Sequence, residues 1–295
     1  MHRSGSSVIT KGIQILGVDL GSSLLGPAPD NPYGFFEDID IGQLNDTILY
    51  TIQFAADSVG NFPKNVPNED ALISYGCELI KQKIAGKQRF GFKDPRTARN
   101  ITIWRKIFKK LTNISLRIIV VTRNPKSIAK SLYARNQIPY EKSYYLYLQH
   151  YISAILYTLD LDPYFMSYEN FIKNPNQELQ KVAKYLNINN IDTKKLDDFT
   201  KNFVNRAFQH HNSSEDAVMR EKEIPNEVKS LYLLLNNVFN FPSSKQEIEK
   251  KCKKIHSFLE QHHSILKSLD EAEEKHRMNK YAFGLIENLV TDVIR

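Results

Sequence analysis

The chain has 295 residues, enough for about two domains, and 41% of them are hydrophobic and 25% charged, which excludes a disordered or fibrous protein. Forty Lys and Arg against 33 Asp and Glu give a net charge of +7, which suits an anionic small ligand and is too diffuse to indicate nucleic acid binding. Two cysteines, Cys77 and Cys252, exclude a disulfide framework and a multi-cysteine zinc module. No apolar run reaches the roughly 18 residues of a membrane span. The first residues lack the apolar core of a signal peptide, so we expect a cytoplasmic protein.

Helices and strands alternate along most of the chain. Apolar residues at helical spacing predict helices over 7–18, 39–58 and 69–85. Short β-branched and aromatic runs predict strands over 89–93, 116–122 and 164–168. Further helical patterns lie over 98–111, 125–135, 140–159 and 175–187. This order predicts an α/β fold in which helices flank a central parallel sheet, with the ligand beyond the carboxyl ends of the strands.

The end of the chain has a different pattern. From Ser243 onward there is no Pro, and the first Gly is Gly284. Apolar residues recur there at a helical or coiled-coil spacing. We therefore divide the chain into an α/β domain over 1–240 and a helical extension over 241–295, whose helices are candidates for self-association.

A segment of small residues, His2–Ser7, stands directly before the first predicted helix. Small residues let the backbone close around an anion, and the N–H groups of a first helical turn point at it with the helix dipole behind them. Arg3 adds a positive charge, and Ser6 and Ser7 add hydroxyl donors. The segment lacks the Lys and the paired glycines of a nucleotide-triphosphatase loop, and its alternative interpretation is an ordinary helix cap.

A second candidate anion site follows the strand predicted over 116–122. Asn124 is placed to cap a helix whose first residue is Pro125. Ser131 lies about two turns further on and returns to the face of the cap. Arg123, at the end of the strand, and Ser131 together are able to hold a phosphate. The alternative is a surface arginine and a solvated serine.

Together these segments resemble the sulfotransferase family that uses 3′-phosphoadenosine 5′-phosphosulfate, its bacterial branch in particular, over roughly residues 1–211. His2–Ser7 is similar to the family's 5′-phosphosulfate loop. The resemblance therefore implies that the sulfuryl donor is bound by Arg3, Ser4, Gly5, Ser6 and Ser7. Arg123 and Ser131 are similar to its 3′-phosphate motif. Other segments similar to the family follow in the expected order, at 17–21, 30–38, 93–96, 168–175 and 203–211.

The resemblance implies a P-loop-type α/β fold and a sulfuryl-transfer reaction. A sulfuryl group would move in line from 3′-phosphoadenosine 5′-phosphosulfate to a hydroxyl or amine of a sugar or another small acceptor, without a metal. The enzyme must neutralise charge on the leaving phosphate and remove the acceptor's proton. Arg3 and the N–H groups of the loop suit the first task, and Lys93, at the end of its predicted strand, would assist.

Glu37 is the favoured base. In related sulfotransferases a glutamate after the phosphate loop has this role, and burial beside aromatic residues would raise its pKa towards a useful value. Its alternative role is a first-turn carboxylate of the helix predicted from 39. Asp94, which precedes a proline and is first an N-cap, is a second candidate base. His210 and His211 form a third, with a solvated loop as the alternative interpretation.

The chain departs from the family in two places. The better-known cytosolic members carry Lys-Thr-His where this chain has Lys93-Asp94-Pro95, so that histidine is absent and the choice of base stays open. We also find no counterpart of the family's Arg-Lys-Gly phosphate contact.

Two other groups of residues are interpreted as structural. The tyrosines at helical spacing are expected in the core, with an acceptor-binding wall as the alternative: Tyr140, Tyr144, Tyr147 and Tyr151. Cys252, His256 and His263 share a helix face, but no fourth ligand accompanies them and we do not predict zinc.

Two other functions stay open: a small-molecule kinase, against which the missing lysine after Gly5 argues, and a binding protein that keeps the fold without turnover. A phosphate loop of this kind normally follows a central strand, and here only Met1 precedes the loop. Our hypothesis is that the sequence begins inside the motif and lacks that first strand.

Overall fold

The structure is a computed structural model that describes residues 1–29, 31–204, 215–240 and 244–294, and its two-stranded sheet is parallel. Strand β1 (Ile119–Thr122) pairs with β2 (Tyr164–Ser167), and Ile119 lies opposite Tyr164. One further parallel bridge joins Asp19 to Phe90. The mixed α/β fold with a parallel sheet is thus confirmed.

Helices make up most of the described chain. In chain order they are α1 (Ser6–Ile15), α2 (Ile39–Thr51), α3 (Glu69–Ile84), α4 (Ile101–Lys110), α5 (Pro125–Asn136), α6 (Tyr140–Leu156), α7 (Tyr168–Lys173), α8 (Pro175–Tyr185), α9 (Thr193–Asp198), α10 (Glu215–Arg220), α11 (Asn226–Asn240), α12 (Lys245–Gln261) and α13 (His263–Ile294). Short 3₁₀ turns lie at Pro95–Ala98 and Leu159–Leu161, and Phe199–Val204 is a π-helix.

The strand predicted over 89–93 is wrong as a strand. Only Phe90 makes a bridge, to Asp19, so no ladder forms there. No strand lies against the other edge of this segment among the described residues. That edge faces a cleft, and β1 lines the same cleft. Strand pairing is a tertiary property, and an apolar pattern alone does not supply the partner.

Two helices end earlier than their apolar patterns predicted. The helix expected over 7–18 ends at Ile15, and Gly17 then turns the chain with a φ of 95°. The helix expected over 39–58 ends at Thr51, and Gln53 follows with a φ of 58°. In both places a left-handed residue stops the helix although apolar residues continue.

Buried side chains form the cores around these elements. Trp104 of α4 is fully buried against α2 and α3. Tyr144, Tyr147 and Tyr151 of α6 are buried in another cluster, which confirms the prediction that they are core residues. The apolar face of α12 belongs to that same cluster, where Cys252 is fully buried. In the part of the chain that is described, no helix combines the length and the apolar character needed to cross a bilayer.

Candidate functional site

The loop before α1 has the geometry of an anion cradle. Arg3 and Gly5 have left-handed φ angles of 62° and 79°, and α1 begins at Ser6 directly after them. No side chain caps this helix, and no acidic residue lies in its first turn. Its first N–H groups and the positive end of its dipole are therefore directed at the space in front of the loop.

Packing fixes the residue type at Gly5. A Cβ built on Gly5 would lie 2.0 Å from Cδ2 of Tyr168, so the ring excludes any side chain there. Tyr168 opens α7 directly after β2, which brings its ring to the carboxyl end of the sheet. We did not predict this contact, although the position of Tyr168 at a strand end is the signal that points to it.

Arg123 and Ser131 both lie against this loop. Arg3 donates from Nε to the Ser131 hydroxyl oxygen at 2.7 Å, and Arg123 donates to the Arg3 carbonyl at 2.9 Å. The Arg123 guanidinium stacks over the Tyr168 ring, 4.4 Å from its centroid. The Asn124 side chain accepts from the Ser127 N–H at 3.1 Å, which confirms the predicted cap of α5. The two predicted anion sites thus form one surface.

Two buried donors on this surface lack partners. The Ser4 hydroxyl and Nε of Arg123 make no hydrogen bond to any described residue. Ser4 is only 1% exposed, and a buried polar atom without a partner is costly. Donors left open beside a helix N-terminus fit an anionic ligand, which would satisfy them.

Glu37 and Lys93 form a buried ion pair beside the loop. Nζ of Lys93 donates to Oε1 of Glu37 at 2.6 Å and to the Ser7 hydroxyl at 3.3 Å. Burial raises the pKa of Glu37, which is 9% exposed, and the positive charge of Lys93 opposes that rise. Burial also lowers the pKa of Lys93, against the pull of Glu37. A carboxylate and an ammonium group therefore lie side by side at the edge of the cradle.

Two neighbouring carboxylates cap helices beside the site, Asp38 at α2 and Asp94 at the 3₁₀ turn Pro95–Ala98. Asp38, not Glu37, caps α2 and accepts from the N–H groups of Asp40 and Ile41. Asp94 accepts from the N–H of Arg96 at 2.8 Å and from its guanidinium at 2.9 Å, so its carboxylate is already engaged.

Three candidates remain: a histidine base, a metal site and Cys252. His210 and His211, our third candidate base, lie outside the described residues. The described side chains contain no group of three or more His, Cys, Asp or Glu arranged to hold a metal. Burial raises the pKa of the Cys252 thiol to about 12, which agrees with a structural role.

The arrangement has a clear chemical capacity. Three cations, Arg3, Lys93 and Arg123, surround a helix N-terminus, and one carboxylate, Glu37, lies at their edge. Such a site binds an anion, neutralises charge that develops on an oxygen and accepts a proton.

Comparison with known families decides the class. Residues 87–233 match the family model described as the sulfotransferase domain. The chain belongs to the sulfotransferase family. It therefore carries the domain of a transferase that moves sulfuryl groups. No curated protein and no solved structure matches the chain.

The matched region of this sulfotransferase contains only part of the site. Lys93, Arg123 and Ser131 lie within it, whereas the His2–Ser7 loop and Glu37 precede it. The loop and Glu37 are linked to the matched region by direct contacts, Arg3 to Ser131 and Glu37 to Lys93.

Proposed function

We propose that this sulfotransferase takes its sulfuryl group from 3′-phosphoadenosine 5′-phosphosulfate and transfers it to a hydroxyl or amine of a sugar or another small acceptor. The observation that carries the proposal is the convergence of Arg3, Arg123 and Ser131 on the open N-terminus of α1. The sulfuryl donor carries phosphates at both its 5′ and 3′ ends. This surface offers hydrogen-bond donors in two neighbouring places, which suits the two phosphates.

Each end of the donor has its own residues. We assign the 5′-phosphosulfate to Arg3, Ser4, Gly5, Ser6 and Ser7, because the helix N–H groups and the open Ser4 hydroxyl are there.

We assign the 3′-phosphate to Arg123 and Ser131. The Arg3 side chain already bonds to Ser131, so it is shared between the two positions. The open Nε of Arg123 supports a further charged hydrogen bond.

The transfer itself needs two more groups. An acceptor oxygen or nitrogen attacks sulfur, the bond from sulfur to the 5′-phosphate oxygen breaks, and the acceptor's proton passes to Glu37. Lys93 and Arg3 neutralise the charge left on the phosphate oxygen. The Lys93 ammonium group contacts both Glu37 and the Ser7 hydroxyl of the cradle. These two contacts support the assignment of Glu37 as the base and of Lys93 as the group that neutralises the phosphate.

Nucleotide binding tests the donor. The desulfated product, 3′-phosphoadenosine 5′-phosphate, should raise the melting temperature, because a ligand that binds the folded state alone stabilises it. ATP with Mg²⁺ should leave it unchanged. Stabilisation by ATP alone would favour a kinase. Stabilisation by the product without any transfer would favour a binding protein.

Glu37→Gln tests the base. The amide keeps the size of the side chain and loses the proton acceptor, so turnover should fall by at least about a hundredfold while nucleotide binding persists. Asp94→Asn is the matched comparison. Since Asp94 holds Arg96, its replacement should lower stability rather than selectively stop turnover. Near-normal turnover in Glu37→Gln would move the base elsewhere.

We keep the division into a catalytic part over 1–240 and a helical extension over 241–295 as a proposal. Self-association through the extension is supported by two exposed apolar side chains of α13, Ile265 and Leu269. Sedimentation at several protein concentrations measures it directly.

A further inference from the structure

A buried carboxylate anchors the helical extension in the α/β domain. Asp270 of α13 accepts from the backbone N–H groups of Val59 and Gly60, at 2.8 and 2.7 Å. These two residues lie in the loop between α2 and α3, and Val59 is 211 positions away from Asp270 in the chain. A Cβ built on Gly60 would lie 2.9 Å from Oδ2 of Asp270. The glycine therefore lets the carboxylate approach the loop closely.

The same loop holds the buried side chain of Arg99. Arg99 donates from Nη1 to Oε1 of Gln149 at 2.8 Å and from Nη2 to the Gly60 carbonyl. Gln149 donates in turn to the Val59 carbonyl at 2.8 Å. The N–H groups at 59 and 60 thus bind Asp270, while the carbonyl groups of the same residues bind Arg99 and Gln149.

Asp270 supplies the counter-charge of Arg99. The hydrogen bonds that Arg99 makes to described residues go to two neutral oxygens, of Gln149 and Gly60. Burial lowers the pKa of Arg99 to about 10, and the negative charge of Asp270 opposes this shift. A buried cation is costly unless a negative charge compensates it. The extension therefore stabilises a charge that lies in the α/β domain.

Arg99 ends the short turn that follows Lys93. The 3₁₀ turn Pro95–Ala98 begins at its cap Asp94, directly after Lys93, and Arg99 closes it by donating its N–H to the Arg96 carbonyl at 2.9 Å. The Asp94 carboxylate holds the start of this turn through Arg96, and the loop at 59–60 holds its end through Arg99. The position of Lys93 thus depends on both ends of the turn.

A second carboxylate contacts the extension from the same loop. Asp57 accepts from Lys142 of α6 at 2.8 Å and from Arg277 of α13 at 3.0 Å. These contacts also join the loop to the extension, but they do not involve Arg99. Asp57 therefore offers a matched comparison with Asp270.

We propose that Asp270 is a positioning residue of the transfer site, which acts through Arg99 to hold Lys93 in the anion cradle. This role rests on the proposed function, in which Lys93 neutralises the phosphate. It gives the extension a part in the reaction in addition to self-association, because α13 supports the turn from which Lys93 reaches the site.

Chemical labelling of lysines tests this role without nucleotide or acceptor. Lys93 is shielded, with 14% of its side chain exposed, and Lys83, with 13% exposed and an ion pair to Asp38, serves as the internal reference. In Asp270→Asn, acetylation of Lys93 by acetic anhydride should become at least about tenfold faster, because its support is lost. The rate at Lys83 should not change. Asp57→Asn should leave both rates unchanged in mass spectrometry of the peptides.

A double variant separates positioning from stability. Asp270→Asn leaves Arg99 buried without its counter-charge, so it also lowers stability. Adding Arg99→Met removes the uncompensated charge, and the double variant should unfold at a higher urea concentration than Asp270→Asn. The contact that holds the end of the turn is still missing, so Lys93 should remain fast to label. A rate at Lys93 that returns to normal together with stability would indicate a structural role alone and overturn the proposal.

Turnover provides the second readout. With an acceptor from the panel, kcat should fall about tenfold in Asp270→Asn while KM for the sulfuryl donor stays unchanged, since the cradle residues are intact. Unchanged labelling of Lys93 and unchanged kcat in Asp270→Asn would overturn the positioning role and leave the proposed function standing. Absence of transfer by the unaltered chain would instead contradict the proposed function, and the labelling result would still show whether Asp270 holds Lys93.

Discussion

Replacing Gly5 by alanine tests whether packing fixes the shape of the anion cradle. Gly5 has a φ of 79°, and a Cβ there would meet the Tyr168 ring at 2.0 and 2.4 Å. Gly17 provides a matched control, because its φ is 95° but nothing lies within 4 Å of its Cβ position. The two substitutions share the backbone cost and differ in the clash.

The structure gives the expected magnitudes. An alanine in the left-handed region costs about 1 kcal/mol, which is the whole effect expected for Gly17→Ala. For Gly5→Ala, displacement of the buried ring adds about 1–3 kcal/mol, as for other overpacked sites. We therefore expect the free energy of unfolding to fall by about 1 kcal/mol in Gly17→Ala and by about 2–4 kcal/mol in Gly5→Ala.

Urea unfolding of the two variants measures this difference. Adding Tyr168→Ala removes the ring that the new methyl group meets, so the double variant should lose less than the sum of the single losses. Affinity for 3′-phosphoadenosine 5′-phosphate should fall in Gly5→Ala and stay unchanged in Gly17→Ala. Equal losses of stability in the two single variants would refute the reasoning that packing against Tyr168 shapes the cradle.

Three further predictions concern charged groups. Arg123→Ala should weaken binding of 3′-phosphoadenosine 5′-phosphate by about tenfold to a hundredfold in calorimetry, through the loss of a charge-assisted hydrogen bond; unchanged affinity would exclude a contact with the ligand. Lys93→Met removes the charge and the hydrogen bond that lower the pKa of Glu37. The acidic limb of the pH profile of kcat/KM should therefore move to higher pH. A limb that stays in place would exclude Glu37 as the titrating base. Asp270→Ala removes the carboxylate that accepts from the backbone N–H groups of residues 59 and 60 at 2.8 and 2.7 Å. In urea unfolding, the free energy of unfolding should fall by about 2–4 kcal/mol. A loss below about 0.5 kcal/mol would contradict this role.

Local sequence patterns were enough to predict most elements of the fold. The cap and the proline at 124–125 mark the start of α5, because these signals act within one helical turn. The apolar run over 116–122 likewise predicted β1, although the observed strand is shorter. The segment over 89–93 has the same kind of pattern but only one bridging residue, since its pairing depends on a neighbour distant in sequence.

The candidate site was predictable as a list of residues but not as a set of contacts. Arg3 and Ser131 are 128 positions apart and meet through the fold alone. Arg123 directly follows the carboxyl end of β1, where parallel sheets place their ligands, whereas Lys93 lies at the cradle through its contacts with Glu37 and Ser7. The stacking of Arg123 on Tyr168 depends on how β2 is placed beside β1, and no spacing in the sequence encodes it.

The release of 3′-phosphoadenosine 5′-phosphate from its sulfated form, followed by mass spectrometry in the presence of a panel of small hydroxyl and amine acceptors, tests the central claim most directly. We expect release that depends on an acceptor and is matched by a product heavier by one sulfuryl group. Glu37→Gln, measured in parallel, should bind the nucleotide and give no release above background. Nucleotide binding by the unaltered chain without acceptor-dependent release, or equal release by Glu37→Gln, would contradict the proposed reaction or the base assigned to it.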